Sequence, residues 1–394
     1  MYKLLGNIKQ YNWGKSHDNS IITKLFSKTA NSIETDKPIA EIWFGTHPLG
    51  ESITDGGKSL SAILKEGALE CLNADSKTLP KDREFNLPFL SKFLSINKPL
   101  SIQAHPDIQT AIKLNLKDPK NYPDQNHKPE IAIALTNCSL LSGFKTGAEI
   151  SNDIANNSKL LSLIPKQIID DLKTEKDNLG LKNLVSHIIN NLTSEDSINI
   201  ISHLKKSEKR KNFEDALLNA ANYFPAGDIG LFFFYILNFI ELAPLEAIFN
   251  PPNTPHAYLS GEMFECMALS DNVVRVGLTD KFIDQESLLS ILNYSPNQQK
   301  VIIPNNTTQC SEYDLKDFID EFSTIRIFKS GHLVKIDNSK ISLVFCLQGE
   351  MLINNTHFCQ GEVGLVNKKE SYLLDITKED PSNQFNNCCA IIVS

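Results

Sequence analysis

The sequence predicts a mainly β protein interrupted by a helical insertion, in the order β, then α, then β again. Three observations carry that reading. Up to about residue 147 the chain runs as short apolar stretches broken by Pro and Gly, as in KPIAEIWFGTHPLGES and KPEIAIALTNCSLLSGF. This is the punctuation of strands joined by turns. From about 148 to 221 apolar residues recur every three or four positions, as in LKNLVSHIINNL, which is the spacing of amphipathic helices. From about 313 onward, ISLVFCLQGEMLINNTHFCQGEVGLV sets apolar runs around Gly-Glu turns, the pattern of a small antiparallel sandwich or jelly roll.

In chain order, the first β part is expected over 1–147, with helices over 19–28 and 60–70 where the spacing is nearer helical. The helical insertion follows over 148–222, strands return over 223–312, and a smaller β domain closes the chain over 313–394. The most apolar run, IGLFFFYILNFI at 229–240, reads as a buried strand with its flanks. It contains Asn238 and falls well short of the ~20 residues that span a bilayer. The glycines of LQGEMLINN and CQGEVGL read as hairpin turns, because no helix start follows them to cradle a phosphate.

A chain of 394 residues suits two or three domains. Its formal charge of −8 argues against a nucleic-acid or membrane-surface partner, which needs a basic face. The start, MYKLLGNIKQYNWGK, has no apolar core of a secretory signal. The eight cysteines include no C-x-x-C pair and read as reduced thiols, so a cytoplasmic protein is expected.

Four polar sites stand out against the apolar strands: SIQAHPD, HKPE, TPHAY and SDNVVR. In an extended strand alternate side chains share a face, so Gln103 and His105 project together. His105, Glu130 and His256, two histidines and a carboxylate from three separate strand ends, are enough to hold a catalytic Zn²⁺ with one position open. A neutral Gln oxygen is a less usual ligand, and ordinary buried polar residues are the other reading of the same pattern. The pair His357 and Cys359 mimics a second metal site, but no carboxylate lies at useful spacing along the chain, so it is set aside. His47, in GTHPLG, reads as a loop residue.

These stretches carry a resemblance over almost the whole chain. YNWGK, AEIWFGTHPLGES, QAHPD, HKPEIAIALT, AGDIG and PPNTPHAYLSGEMFECMALSDNVVRVGLTDK are similar to the type I mannose-6-phosphate isomerases, zinc enzymes of the cupin class. The resemblance implies a catalytic cupin in two parts, a helical insertion and a second, smaller cupin-like domain, which is expected to be metal-free because His357 and Cys359 lack a carboxylate or further histidine at useful spacing nearby. It implies one zinc per chain held by Gln103, His105, Glu130 and His256. The expected reaction interconverts mannose 6-phosphate and fructose 6-phosphate through an enediolate, with Arg275 stabilising the developing charge. His127, Lys128 and Asp271 are the implied proton-transfer group, unranked. Lys92 and Ser101 are expected at the phosphate, and Trp13, Glu41, Tyr258, Glu265 and Lys281 at the pocket wall. The expected partner is a phosphorylated hexose, bound by a monomer. Two rivals remain: an isomerase of another phosphorylated sugar, and a sugar-binding cupin without turnover.

Overall fold

In a computed structural model the protein is described over residues 1–26, 33–66, 86–174, 178–296, 301–329, 333–337, 341–366, 371–376 and 388–394. The described strands form sheets of ten, eight and four strands. The ten-stranded sheet folds over on itself, and the strand that folds it is His256–Ala268. Its first residues pair with Ile102–Ala104 and Cys138–Phe144, while Gly261 to Ala268 pair with Phe89–Ile96 and with Glu130–Ala134. The register shifts between Tyr258 and Ser260, and a bulge of this kind bends a strand and raises its twist. Gly261 completes the bend at φ 115°, and a Cβ there would lie 2.4 Å from Cys138 Sγ. Only glycine accepts that backbone and that approach. One strand therefore serves both layers of a sandwich, which brings His256 from one layer against Glu130 from the other.

Between these strands six described helices run from Gly147–Ala155 to Asn212–Ala221. Their starts carry the local chemistry that helices need: Thr146 and Thr193 form capping boxes with Glu149 and Asp196, and Asn157 accepts from the Leu160 N–H. Such caps satisfy backbone donors that a first turn leaves unpaired. The apolar faces of these helices share one core with Leu141, Phe144 and Ala257 of the sandwich.

The run at 229–240 departs from the expected strand. Ile229–Phe232 is a 3₁₀ turn, Phe233–Ile236 an α turn, and only Leu237–Leu242 is extended. An unbroken apolar run has no period to separate a buried helix from a buried strand. Asp228 decides it locally by accepting from the N–H groups of Gly230 and Leu278, at 2.7 and 2.8 Å. The helices expected over 19–28 and 60–70 appear as Ile21–Phe26 and Leu60–Lys65; Asn19 ends a 3₁₀ turn, Glu66 caps the second helix, and 27–28 and 67–70 lie outside the described residues.

The C-terminal segment does not stand apart from the start of the chain. Tyr2–Leu5 pairs with Val363–Val366 and so joins the eight-stranded sheet. That sheet and the four-stranded one enclose a small core of Phe328, Val344, Met351, Ile353 and Phe358. On its other face, Phe345 packs against Phe44, Phe93 and Phe264 of the ten-stranded sheet, with ring centroids 5.2 to 5.5 Å apart. Phe345 is fully buried. Phe345→Ala is therefore expected to cost about 3–5 kcal/mol, and to destabilise both sandwiches together. Denaturant unfolding followed by fluorescence and circular dichroism should show one shifted, coincident transition.

Candidate metal centre and active-site cavity

Gln103 leaves the short strand Ile102–Ala104 directly opposite His256 in register, and Arg275 opposes Gln103 from the other side, on Val274–Gly277. Glu130 begins the strand Glu130–Ala134 and Lys128 precedes it by two residues. His105, Glu130 and His256 are buried and offer ligand atoms that lie within 4.8 Å of one another.

Each imidazole is oriented by the backbone. His105 Nδ1 donates to the Asn272 carbonyl at 2.9 Å and His256 Nδ1 donates to the Thr254 carbonyl at 3.0 Å. These bonds fix the tautomer, so each Nε2 carries a lone pair into the site. His105 Nε2 lies 3.3 Å from Glu130 Oε2, and His256 Nε2 lies 3.0 Å from Glu130 Oε1. Acceptor faces acceptor twice in a buried space, an arrangement that a cation between them relieves. Glu130 is held in turn by Tyr258, whose hydroxyl donates to Oε1 at 2.9 Å and accepts from Asn250 Nδ2 at 3.1 Å. Ser142 then donates to Asn250 at 2.7 Å.

Gln103 Nε2 donates to His256 Nε2 at 3.4 Å, while its Oε1 accepts from Ser101 at 3.3 Å. Half a turn of the carboxamide exchanges the two and brings an oxygen to the cluster. With that turn, two imidazoles, a carboxylate and a carboxamide oxygen make a four-donor set suited to a borderline divalent ion.

The electrostatics favour unprotonated His105 and Glu130. Burial, followed by the Lys128 ammonium, lowers His105 from 6.5 to about 3. Burial alone would raise Glu130, but Lys128, His105 and His256 outweigh it and hold the carboxyl well below its ordinary value. Lys128 Nζ donates to Glu130 Oε2 at 2.7 Å and lies 3.1 Å from His105 Nε2. No proton has to be displaced from His105 or Glu130 at neutral pH before a metal binds.

In front of the cluster lies a cavity of about 480 Å³. Gln103, Lys128 and Tyr258 form the wall between them, since each lines the cavity and touches one of the buried ligands. Trp13, Glu41, Lys92, Ser101, Glu265, Asp271, Arg275 and Lys281 line the rest of it with them. His127 does not line the cavity. Its Nε2 lies 2.6 Å from Glu321 Oε1, a side chain from the C-terminal segment, which directs the ring away from the place of a proton-transfer group.

Lys92 also differs from its expected use. Its Nζ lies 3.2 Å from Glu265, 3.5 Å from Glu41 and 5.0 Å from the centre of the Trp43 ring. Burial alone would favour the neutral amine, but Glu41 and Glu265 outweigh it and raise Lys92 above the lysine range. A phosphate brought to this ammonium would meet both carboxylates. By contrast, Arg275 and Lys281 have no carboxylate within ion-pairing distance among the described residues. Burial lowers both, and for Lys281 the neighbouring Arg275 adds to the effect.

The residue that the sequence reading missed is His47. It is buried, edge-on to Trp43 at 4.9 Å, and lines the cavity. Its Nδ1 accepts from the Leu49 N–H at 3.2 Å, so its Nε2 carries the proton and donates to Asp271 Oδ1 at 3.1 Å. Burial would raise Asp271, but the bond from His47 outweighs it and keeps that carboxyl below the ordinary range. Trp43, Gly45 and the Pro after His47 make GTHPLG look like a plain turn, and no pairing signal in the chain points to Asp271. Tyr223 and Phe224, from the end of the helical segment, also reach the cavity without any motif to announce them.

A cupin sandwich with two tautomer-locked imidazoles, a buried carboxylate and a polar cavity in front of them defines a metal-dependent enzyme. Comparison with known proteins narrows the class. Residues 1–147 match the family described as phosphomannose isomerase type I, catalytic domain. The chain is 34% identical to the mannose-6-phosphate isomerase of Macaca fascicularis, over 98% of this chain and 97% of that one. It is 37% identical to the mannose-6-phosphate isomerase of Schizosaccharomyces pombe, over 76% of this chain and 75% of that one. The crystal structure of mannose 6-phosphate isomerase from Salmonella typhimurium, bound to its substrate fructose 6-phosphate and zinc, superposes with a TM-score of 0.80. That match, at 24% identity, covers 100% of this chain and 98% of the other, and establishes the shared fold. The chain belongs to the type I mannose-6-phosphate isomerase family.

Proposed function

We propose that this protein interconverts D-mannose 6-phosphate and D-fructose 6-phosphate, with one zinc held by Gln103, His105, Glu130 and His256. The observation that carries the reading is the meeting of two lone-pair nitrogens with Glu130 behind a cavity that also holds Arg275 and Lys281, which have no carboxylate partners among the described residues. A cation bound there supplies electrostatic polarisation of the carbonyl and neighbouring hydroxyl of the open-chain sugar.

The chain's own residues supply the rest. Isomerisation removes the proton from the carbon beside the carbonyl, leaves an enediolate, and returns a proton to the adjacent carbon. Asp271, ionised and aimed by His47, and Lys128, beside the ligand cluster, are the groups placed to move those protons. Arg275 opposes Gln103 in register, so its guanidinium stands beside the reacting carbons and meets the enediolate charge. Lys281 and Ser101 are assigned to the phosphate in place of Lys92, whose charge Glu41 and Glu265 already answer. Trp13 forms a wall for the sugar. A reducing, cytoplasmic setting accords with Cys138, Cys266, Cys310, Cys346 and Cys359, which are free thiols. No described helix is long and apolar enough to cross a membrane.

The phosphate assignment tests the substrate class. Charge-assisted contacts to a dianion give binding energy that can be spent on orienting the reacting carbons. Unphosphorylated mannose is therefore expected to be a very poor substrate. Lys281→Ala should lower kcat/KM for mannose 6-phosphate by about tenfold or more and leave the residual rate on mannose unchanged. Steady-state kinetics on both sugars checks this, and equal efficiency on the two sugars contradicts it.

A further inference from the structure

A second cluster of metal donors lies far along the chain from the catalytic residues. Glu350–Ile353 and Thr356–Cys359 form an antiparallel hairpin in which Glu350 opposes Cys359 and Leu352 opposes His357. Met351, Ile353 and Phe358 alternate inward into the small C-terminal core. The pleat then directs Glu350, His357 and Cys359 to the outer face. Pairing across the hairpin thus supplies the carboxylate that spacing along the chain does not, and corrects the expectation that His357 and Cys359 stand without one. His357 lies 3.7 Å from Cys359 Sγ through Nδ1 and 3.2 Å from Glu350 Oε2 through Nε2. One ligand atom from each residue falls within 4.8 Å of the other two.

The hairpin is also firmly seated. The Cys359 N–H donates to Glu362 Oε2 at 2.8 Å, and Lys3 pairs with that same carboxylate oxygen at 2.7 Å. Gly361, at φ 81°, packs so closely on the helix Ile21–Phe26 that a Cβ would lie 1.8 Å from the Leu25 carbonyl. Donors on a fixed ribbon need little ordering before they bind.

We infer that Glu350, His357 and Cys359 form a second, solvent-facing site for a borderline divalent ion, Zn²⁺ or Co²⁺, with water completing the shell. Ligand distances of about 2.0–2.3 Å around zinc place donor atoms roughly 3.3–3.7 Å apart in a tetrahedron; His357 would bind through one ring nitrogen, and a modest turn of the side chains draws the three donor atoms, which lie within 4.8 Å of one another, to that spacing. The thiolate and the carboxylate carry two negative charges and balance the ion. Binding releases the thiol proton to solvent. A thiolate selects zinc-like ions, whereas Mg²⁺ prefers an all-oxygen shell. The site is separate from the catalytic assignment and does not depend on it.

The test uses the full chain, given one equivalent of Zn²⁺ to fill the tighter catalytic site and then titrated with Co²⁺. The wild type should take up one more equivalent than Cys359→Ser, with a thiolate-to-cobalt charge-transfer band in the near ultraviolet that the variant lacks. His357→Ala should also lose this equivalent, and Glu350→Gln should bind it more than about tenfold more weakly. None of the three should change the basal isomerase rate, and Mg²⁺ should not compete. Because the difference between wild type and Cys359→Ser counts this site alone, metal bound elsewhere does not affect it. Equal uptake by the two proteins, or a band that survives the Cys359→Ser change, overturns the inference.

Discussion

His256→Ala is expected to abolish metal binding and activity together. His256 is fully buried, its ring is locked by the Thr254 carbonyl, and its Nε2 stands 3.0 Å from Glu130 Oε1. Removing it takes one of two imidazoles from the donor set and leaves a void beside a buried carboxylate. Changes to groups that merely orient a ligand cost about 10–100-fold in affinity, and loss of a ligand itself should exceed that range. Tyr258→Phe supplies the graded comparison, because it deletes only the hydroxyl that donates to Glu130. Its affinity loss should fall within about 10–100-fold. Metal content after dialysis and isomerase rates on the same samples check both variants. Wild-type metal content in His256→Ala would contradict the ligand assignment.

Arg275→Ala is expected to lower kcat by roughly 10²–10³-fold, the scale of losing a group aimed at transition-state charge, with KM changed far less. Arg275 sits beside Gln103 in register, is partly buried, and has no carboxylate within ion-pairing distance among the described residues. A guanidinium stays charged at neutral pH even where burial lowers it, so it meets the enediolate without giving up its own proton. Interactions made only in the transition state appear in kcat and kcat/KM together. Bound zinc should remain at the wild-type level, which separates this variant from His256→Ala. If KM rises while kcat is unchanged, Arg275 is a phosphate contact instead.

The sequence made the strands readable wherever one face is buried, because alternation then appears in the residues themselves. Gln103 and His105 could be read as a pair for that reason. Glu130 and His256 could be read only as further donors, since the bend at Gly261 that brings their strands together leaves no periodic signal. The Ser142–Asn250–Tyr258 relay behind Glu130 is likewise invisible along the chain, as its members meet only across three strands. His47 looked like part of a turn, and its role comes from a single long-range bond to Asp271. The resemblance assigned Lys92 to the phosphate; it lines the cavity, but the residue type could not reveal that two carboxylates already hold it. His127 illustrates the opposite case: its position beside Lys128 suggested the cavity, and its bond to Glu321 takes the ring elsewhere. At 229–240 a mostly apolar run concealed a helical turn because composition without period does not distinguish the two.

The most direct measurement is the coupled isomerisation of mannose 6-phosphate by protein stripped of metal and then returned to Zn²⁺ in small increments. Activity should be absent after chelation and should rise in proportion to added zinc, reaching a plateau once the tighter, catalytic equivalent is filled. Undiminished turnover in the metal-stripped protein would contradict the account.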